Sequence, residues 1–330
     1  MLQLKNGTPF ASSIALFPDE QGTDSLYLMV KASFNIGSSW TLADKQLAPI
    51  AADEYWGEPD KSSLKSASDF HTGKPATDII MLGSAHAPDN EPVRQLDVSL
   101  QVGQVNKTVR VFGDRQWMNG RITAPEPFQT MPMVYERAYG GVYAVDGQII
   151  SQEDRNPVGN GFAGQRTQDE MNGMALPNLE DPASLIRQYT DQPAPSCFAL
   201  SSPGWLPRRS HAGTYDIEWE QQRAPYLPVD YNSRFLNMAH SDLIYPGYIS
   251  GGEQVMIRHM HPAGDLQFTL PRINLASTVL FGEQELSTAF NLETLIIEPE
   301  QMKLSMLWRS SVSCDKKILK IRQIEVALSR

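Results

Sequence analysis

Residues 30–36, VKASFNI, alternate with a period of two. Val30, Ala32, Phe34 and Ile36 fall on one face and Lys31, Ser33 and Asn35 on the other, which predicts a strand with one buried face. The same period returns at 96–112. There Leu96, Val98, Leu100 and Val102 oppose Asp97, Ser99 and Gln101, and the chain turns at 103–106. It comes back with Val109 and Val111 opposite Thr108, Arg110 and Phe112. At 302–309, Met302, Leu304, Met306 and Trp308 alternate with Lys303, Ser305, Leu307 and Arg309. Further strand signals lie at 79–85, at 254–261 facing 266–270, at 276–281 and at 293–298. The tail 317–329 reads as a strand, with a helix as the alternative. One short helix is expected over 182–189, with Asp181 as its cap, Pro182 at its first position and Leu185, Ile186 and Tyr189 as its apolar stripe. Strands at both ends without βαβ alternation predict an all-β or β-dominated antiparallel fold, sandwich or barrel-like, with long irregular loops and few short helices. No flexible linker or fixed-period repeat interrupts the chain, so one β-rich domain over 1–330 is expected, with a subdivision near 190–205 as the alternative.

Between these strands, residues 113–162 hold the densest mixture of glycine, proline, aromatic and charged residues: GDRQW, TAPEPFQTMPMVYERAYGG and NPVGNGF. No period organises them, so individual side-chain and backbone contacts must. Gly113, Asp114, Arg115 and Trp117 are expected to form a turn with the indole packed inward. Tyr135, Glu136, Arg137, Gly140 and Gly141 are expected to form a second irregular unit, with Glu136 and Arg137 as an internal ion pair and the glycines at positive φ. Residues 53–78 read as a polar surface excursion.

A net charge of −10 argues against a broad nucleic-acid surface and against anionic membranes. Two distant cysteines, Cys197 and Cys314, form no disulfide framework, which fits a reducing compartment. The N-terminal residues lack the pattern of a secretory signal, so a cytoplasmic location is expected.

Few residues suggest chemistry. His259 and His261, in RHMHP, would share one face of a strand, as metal ligands often do, with Asp265 close by; half-buried or solvent-facing sheet residues are the plainer reading. Glu136 amid aromatics has the composition of an acid–base group, the ion pair being the plainer account. Cys197 has no activating neighbour in sequence, and the Gly-x-Ser-x-Gly elbow and the P-loop are both missing. Trp205, Arg208 and Arg209, in GWLPRRS, combine residue types enriched at protein interfaces and are candidate partner-binding residues, against a surface loop with a packed indole.

The ordered set GDRQW, TAPEPF, MPMVYERAYGG, NPVGNGF, PNLEDP, GTYD, LPVDYNSRFLN, GGEQV and LPR resembles a bacterial family, domain of unknown function 2169, along nearly the whole chain. The resemblance implies an accessory protein of type VI secretion: a cytoplasmic adaptor or chaperone that binds a secreted effector and helps load it on the spike tip complex. It implies no cofactor and carries no catalytic residue. RHMHPAGD departs from the plainer strand end expected of the family. An enzyme of a new β class, using Glu136 or a metal at His259 and His261, is the alternative; a carbohydrate-binding module is a third.

Overall fold

The computed structural model describes residues 3–315 and 317–329. Three sheets carry the fold, mostly antiparallel, and none closes into a barrel. The six-stranded sheet is built around Asp24–Asn35, which lies between Ala11–Pro18 and Lys303–Ser313. Val30 faces Trp308 and Ala32 faces Met306 across that second pairing. Asn291–Glu298 follows, Asp78–Met81 ends the row, running parallel to it, and the sixth strand, Thr41–Leu42, pairs with Asp24–Asn35 off that row. A tight hairpin cannot join parallel strands. The chain therefore leaves the sheet after Met81, builds most of the remaining structure, and returns at Asn291.

The expected hairpin forms as Gln95–Val102 and Val105–Phe112, with Arg110 opposite Asp97. It is the centre of a five-stranded sheet that adds Leu179–Glu180, Gln254–Arg258 and Leu266–Thr269. The tail is a strand at Ile321–Leu328, paired in parallel with Gln3–Asn6 and antiparallel with Leu275–Phe281; Gln284–Ala289 completes this four-stranded sheet. One apolar core draws on all three sheets, for example Leu28 and Met306, Val98 and Val109, and Val279 and Ile324.

Three expectations change. Asp24–Asn35 is buried on both faces, not one. The 53–78 segment, read as a surface excursion, helps cover its second face: Lys31 Nζ meets Asp69 Oδ2 at 2.9 Å, and just before it the Ala43 N–H donates to the Ser33 carbonyl. Alternation reports which residues share a face; it is silent on whether another segment covers that face. No helix forms at 182–189. Asp181 does cap a turn, but the Ile186 N–H donates to Glu180, and the Arg187 and Gln188 N–H groups donate to Asp191, which uses up the bonds a helix would need. The only α-helix among the described residues is Ile217–Gln222, capped by Asp216. Among the described residues no helix is long and apolar enough to cross a membrane.

Residues 113–162 form short two-stranded pairs joined by side-chain bonds, such as Tyr139–Gly140 with Asn160–Gly161 and Val142–Val145 with Gln148–Gln152. Gly113 is needed because a Cβ there would stand 1.7 Å from the Glu126 carbonyl oxygen. Gly140, at φ 154°, leaves 2.0 Å between such a Cβ and the Asn156 carbonyl oxygen. A second, smaller core of Trp117, Tyr139, Met171, Leu176 and Ile186 lies under this region.

Candidate functional site: a cationic groove held by a buried strap

Residues 70–78, FHTGKPATD, form a strap that carries charge into the interior. Lys74 is fully buried, with Nζ 2.7 Å from Asp78 Oδ2 and 2.8 Å from Thr294 Oγ1. Asp78, also fully buried, accepts three further bonds: from Asn237 Nδ2 at 2.9 Å, from the Met238 N–H at 3.0 Å and from the Ala239 N–H at 3.4 Å. Thr77 holds the other side. Its carbonyl accepts the Tyr245 N–H and its hydroxyl accepts the Ile249 N–H, while its own N–H donates to Gly247. Glu293 accepts from Arg309 Nε at 2.7 Å and from the Lys74 N–H at 2.9 Å. The Arg309 guanidinium reaches the Asp69 carbonyl and the ring of His71, whose pKa burial pushes well below its ordinary value, so the imidazole is neutral. Buried charges need such pairing to be tolerated.

The strap thereby fixes residues 237–239 and 245–249, and Asn237, Ala239 and 245–247 among them line two walls of a groove of about 610 Å³. The third wall is 194–211. Pro195, Leu206, Pro207, Ile244, Tyr245 and Pro246 make most of the lining apolar. Its ionisable side chains are Arg155, Arg208, Arg234, His211, His240, Tyr135 and Tyr245; no aspartate or glutamate lines it. Arg155 is neutralised by two 2.6 Å bonds to Glu153. Arg208 spends Nε on the Phe235 carbonyl at 2.7 Å and Nη1 on the Ser201 carbonyl at 2.8 Å, and its guanidinium lies 5.3 Å from the Phe235 ring centroid. Among the described residues Arg208 has no carboxylate partner, and burial pulls its pKa down. The Arg234 guanidinium bonds to nothing among the described residues. His240 is held neutral, its pKa lowered to about 4 by burial and then by Lys107, whose ammonium pairs with Asp242 at 3.0 Å.

The other sequence candidates are distributed differently. Trp205 is 6% exposed and packs edge-on against Tyr135, centroids 5.3 Å apart, so its indole is core and not a contact surface. Arg209 is exposed and pairs with Asp154 at 3.2 Å. Asp114, Arg115, Glu136 and Arg137 do converge, with the exposed Trp56, on a second cleft of about 760 Å³. The expected Glu136–Arg137 ion pair does not form. Glu136 accepts the Ser63 N–H and hydroxyl at 2.7 and 2.8 Å, and Arg137 donates to Asn178 at 2.9 Å. Asp114 accepts from Asn178, and Arg115 pairs with Glu180 and stacks on Phe112. In this cleft both arginines have a carboxylate partner, Arg115 in Glu180 and Arg137 in Asp114 at 3.7 Å, in contrast to Arg208 and Arg234. A third cleft, of about 840 Å³, mixes Lys31 and Lys65 with Glu54, Glu298 and Glu300.

His259 and His261 do not share a strand face, because the strand ends at Arg258 and His259 takes φ 58°. The His259 ring bonds the Asp97 carbonyl through Nδ1 at 2.9 Å, and His261 Nδ1 accepts the Ala263 N–H. Among the described residues no three His, Cys, Asp or Glu side chains gather to hold a metal. Cys197 is buried and its thiol is pushed up to about 11.

Sequence reasoning finds Arg208 but misses Arg155, Arg234, His240 and the strap. Those groups are brought together from 70–78, 155, 208 and 234–247, and the only local sign is a Lys and an Asp four apart in a Gly-Pro-rich stretch. No curated protein and no solved structure matches the chain. A family model described as "Uncharacterized protein conserved in bacteria (DUF2169)" matches residues 21–309, and the chain belongs to that family.

Proposed function

We propose that this protein is a non-enzymatic adaptor or chaperone of a bacterial type VI secretion system, which binds a secreted effector in the cytoplasm and promotes its loading on the spike tip. The observation that carries the proposal is the groove: mostly apolar, held open by a buried strap, and containing arginines that the chain itself leaves without counter-ions. Partner binding is the use to which such a surface is suited, since apolar walls supply affinity and fixed charges supply register. The enzyme alternative relies on Glu136 or on His259 and His261, and both carboxylate oxygens of Glu136 are already committed to Ser63.

The test is co-expression with a toxic effector and a spike protein of a type VI secretion system from the same bacterium, followed by affinity capture. Capture of a stoichiometric complex, with effector levels falling when the adaptor gene is deleted, supports the proposal. Absence of any complex together with unchanged effector levels refutes it.

A further inference from the structure

We propose that the groove between 194–211 and 234–247 seats an acidic, apolar-flanked segment of the partner protein, with Arg208 and Arg234 holding its carboxylates. This deepens the adaptor reading and rests on it.

Charge selects the occupant. The chain carries a net charge of −10, yet the groove lining holds three arginines and no acidic side chain. Arg155 is already neutralised by Glu153, so Arg208 and Arg234 are the cations left to act outward. Arg208 directs Nε and Nη1 at backbone carbonyls, which fixes the plane of the guanidinium and leaves Nη2 unpartnered among the described residues. A half-buried cation without a counter-ion is costly, and a carboxylate that enters beside it offsets that cost through a charge-assisted bond. A pre-oriented guanidinium also loses less conformational freedom on binding than a mobile one. Arg234, exposed on the rim, contributes attraction at longer range.

The walls narrow the chemistry further. Leu206, Pro207, Ile244 and Pro246 offer apolar contacts that a simple inorganic anion or a phosphodiester backbone does not use. A polynucleotide would also need a continuous basic track, and the third cleft interrupts its two lysines, Lys31 and Lys65, with Glu54, Asp69, Glu298 and Glu300. A peptide that alternates carboxylates with aliphatic or aromatic side chains satisfies both features.

The proposal is tested by fluorescence anisotropy with two labelled heptapeptides, one alternating glutamate with leucine and phenylalanine, the other identical but with lysine in place of glutamate. The glutamate peptide is expected to bind the full-length protein, with affinity falling as salt rises from ~50 to ~300 mM, and the lysine peptide is not. Arg208→Gln should weaken binding about tenfold or more, the effect of a lost hydrogen bond to a charged group. Arg234→Gln should weaken it about threefold, as for an exposed pair. The Arg234 side chain makes no bond among the described residues, so this variant stays informative even if Arg208→Gln unfolds. Equal binding of both peptides, no response to Arg234→Gln, or displacement of the glutamate peptide by inorganic phosphate at equal concentration would each overturn the proposal. An effector complex that forms as well with Arg208→Gln/Arg234→Gln as with the wild type also overturns the groove assignment and leaves the adaptor reading intact. Failure of the wild type to form any effector complex sinks the adaptor reading, while the peptide titration still judges the groove.

Discussion

Substitution of Lys74 by methionine is the most direct probe of how the groove is held. Methionine fits the volume of the lysine stem and removes only the ammonium. Asp78 then sits fully buried without its cation, while Thr294 loses its donor. Breaking a buried ion pair from one side costs about 3–5 kcal/mol, because an uncompensated charge is left behind. Asp78 keeps the Asn237 amide and two backbone N–H groups, so we expect the low end, about 3 kcal/mol. At roughly 2 °C per kcal/mol for a chain of this size, the melting temperature should fall by about 6 °C. The control is Lys61→Met, which breaks the Lys61–Glu58 pair whose side chains are 77% and 71% exposed; its effect should stay within about 0.5 kcal/mol. Equilibrium urea unfolding, followed by tryptophan fluorescence and by circular dichroism, measures both. Coincident transitions with an unchanged slope would license the comparison. If Lys74→Met costs less than about 1 kcal/mol, or no more than Lys61→Met, the buried pair is not what secures the groove walls.

Other expectations follow from the same contacts. His71 and His240 are held uncharged in the folded state, whereas the unfolded chain takes up their protons near pH 6.5. The unfolded state thus binds more protons below that value, and stability should fall as the pH drops from about 6.5 towards 4. At ~1.36 kcal/mol per pH unit, His240 alone accounts for a loss on the order of 3 kcal/mol, readable as a urea midpoint that declines between pH 7 and 4.5 and declines less in His240→Asn. Gly113→Ala drives a Cβ into the Glu126 carbonyl, so it should cost at least the upper end of the ~1–3 kcal/mol overpacking range and lower soluble yield; a wild-type melting curve would contradict the geometry. Glu136→Gln should weaken the grip on Ser63 by about 1–2 kcal/mol while leaving effector capture unchanged; intact stability with lost capture would make Glu136 a contact residue instead. Replacing His259 by alanine should leave the metal content measured by elemental analysis unchanged, since among the described residues no three His, Cys, Asp or Glu side chains gather to hold a metal.

What the sequence by itself determined is local or periodic. The alternation at 96–112 specified the hairpin, and the alternation at 302–309 specified the strand that pairs with Asp24–Asn35, because period two places apolar side chains on a common face whatever lies beyond. The paired glycines Gly140 and Gly141 announced backbone at positive φ, and the ordered motifs pointed to the family. Only the tertiary structure decided which charges meet. Glu136 is next to Arg137 in sequence, yet it bonds Ser63. Lys31 reads as a solvent-facing strand residue, yet it is sealed under Asp69. The groove joins residues as far apart as Ala76 and Tyr245, and two of its three arginines, Arg208 and Arg234, have no carboxylate partner among the described residues, which only the folded chain decides. Ion pairing and desolvation depend on distances across the fold, and neither leaves a period in the sequence that builds them.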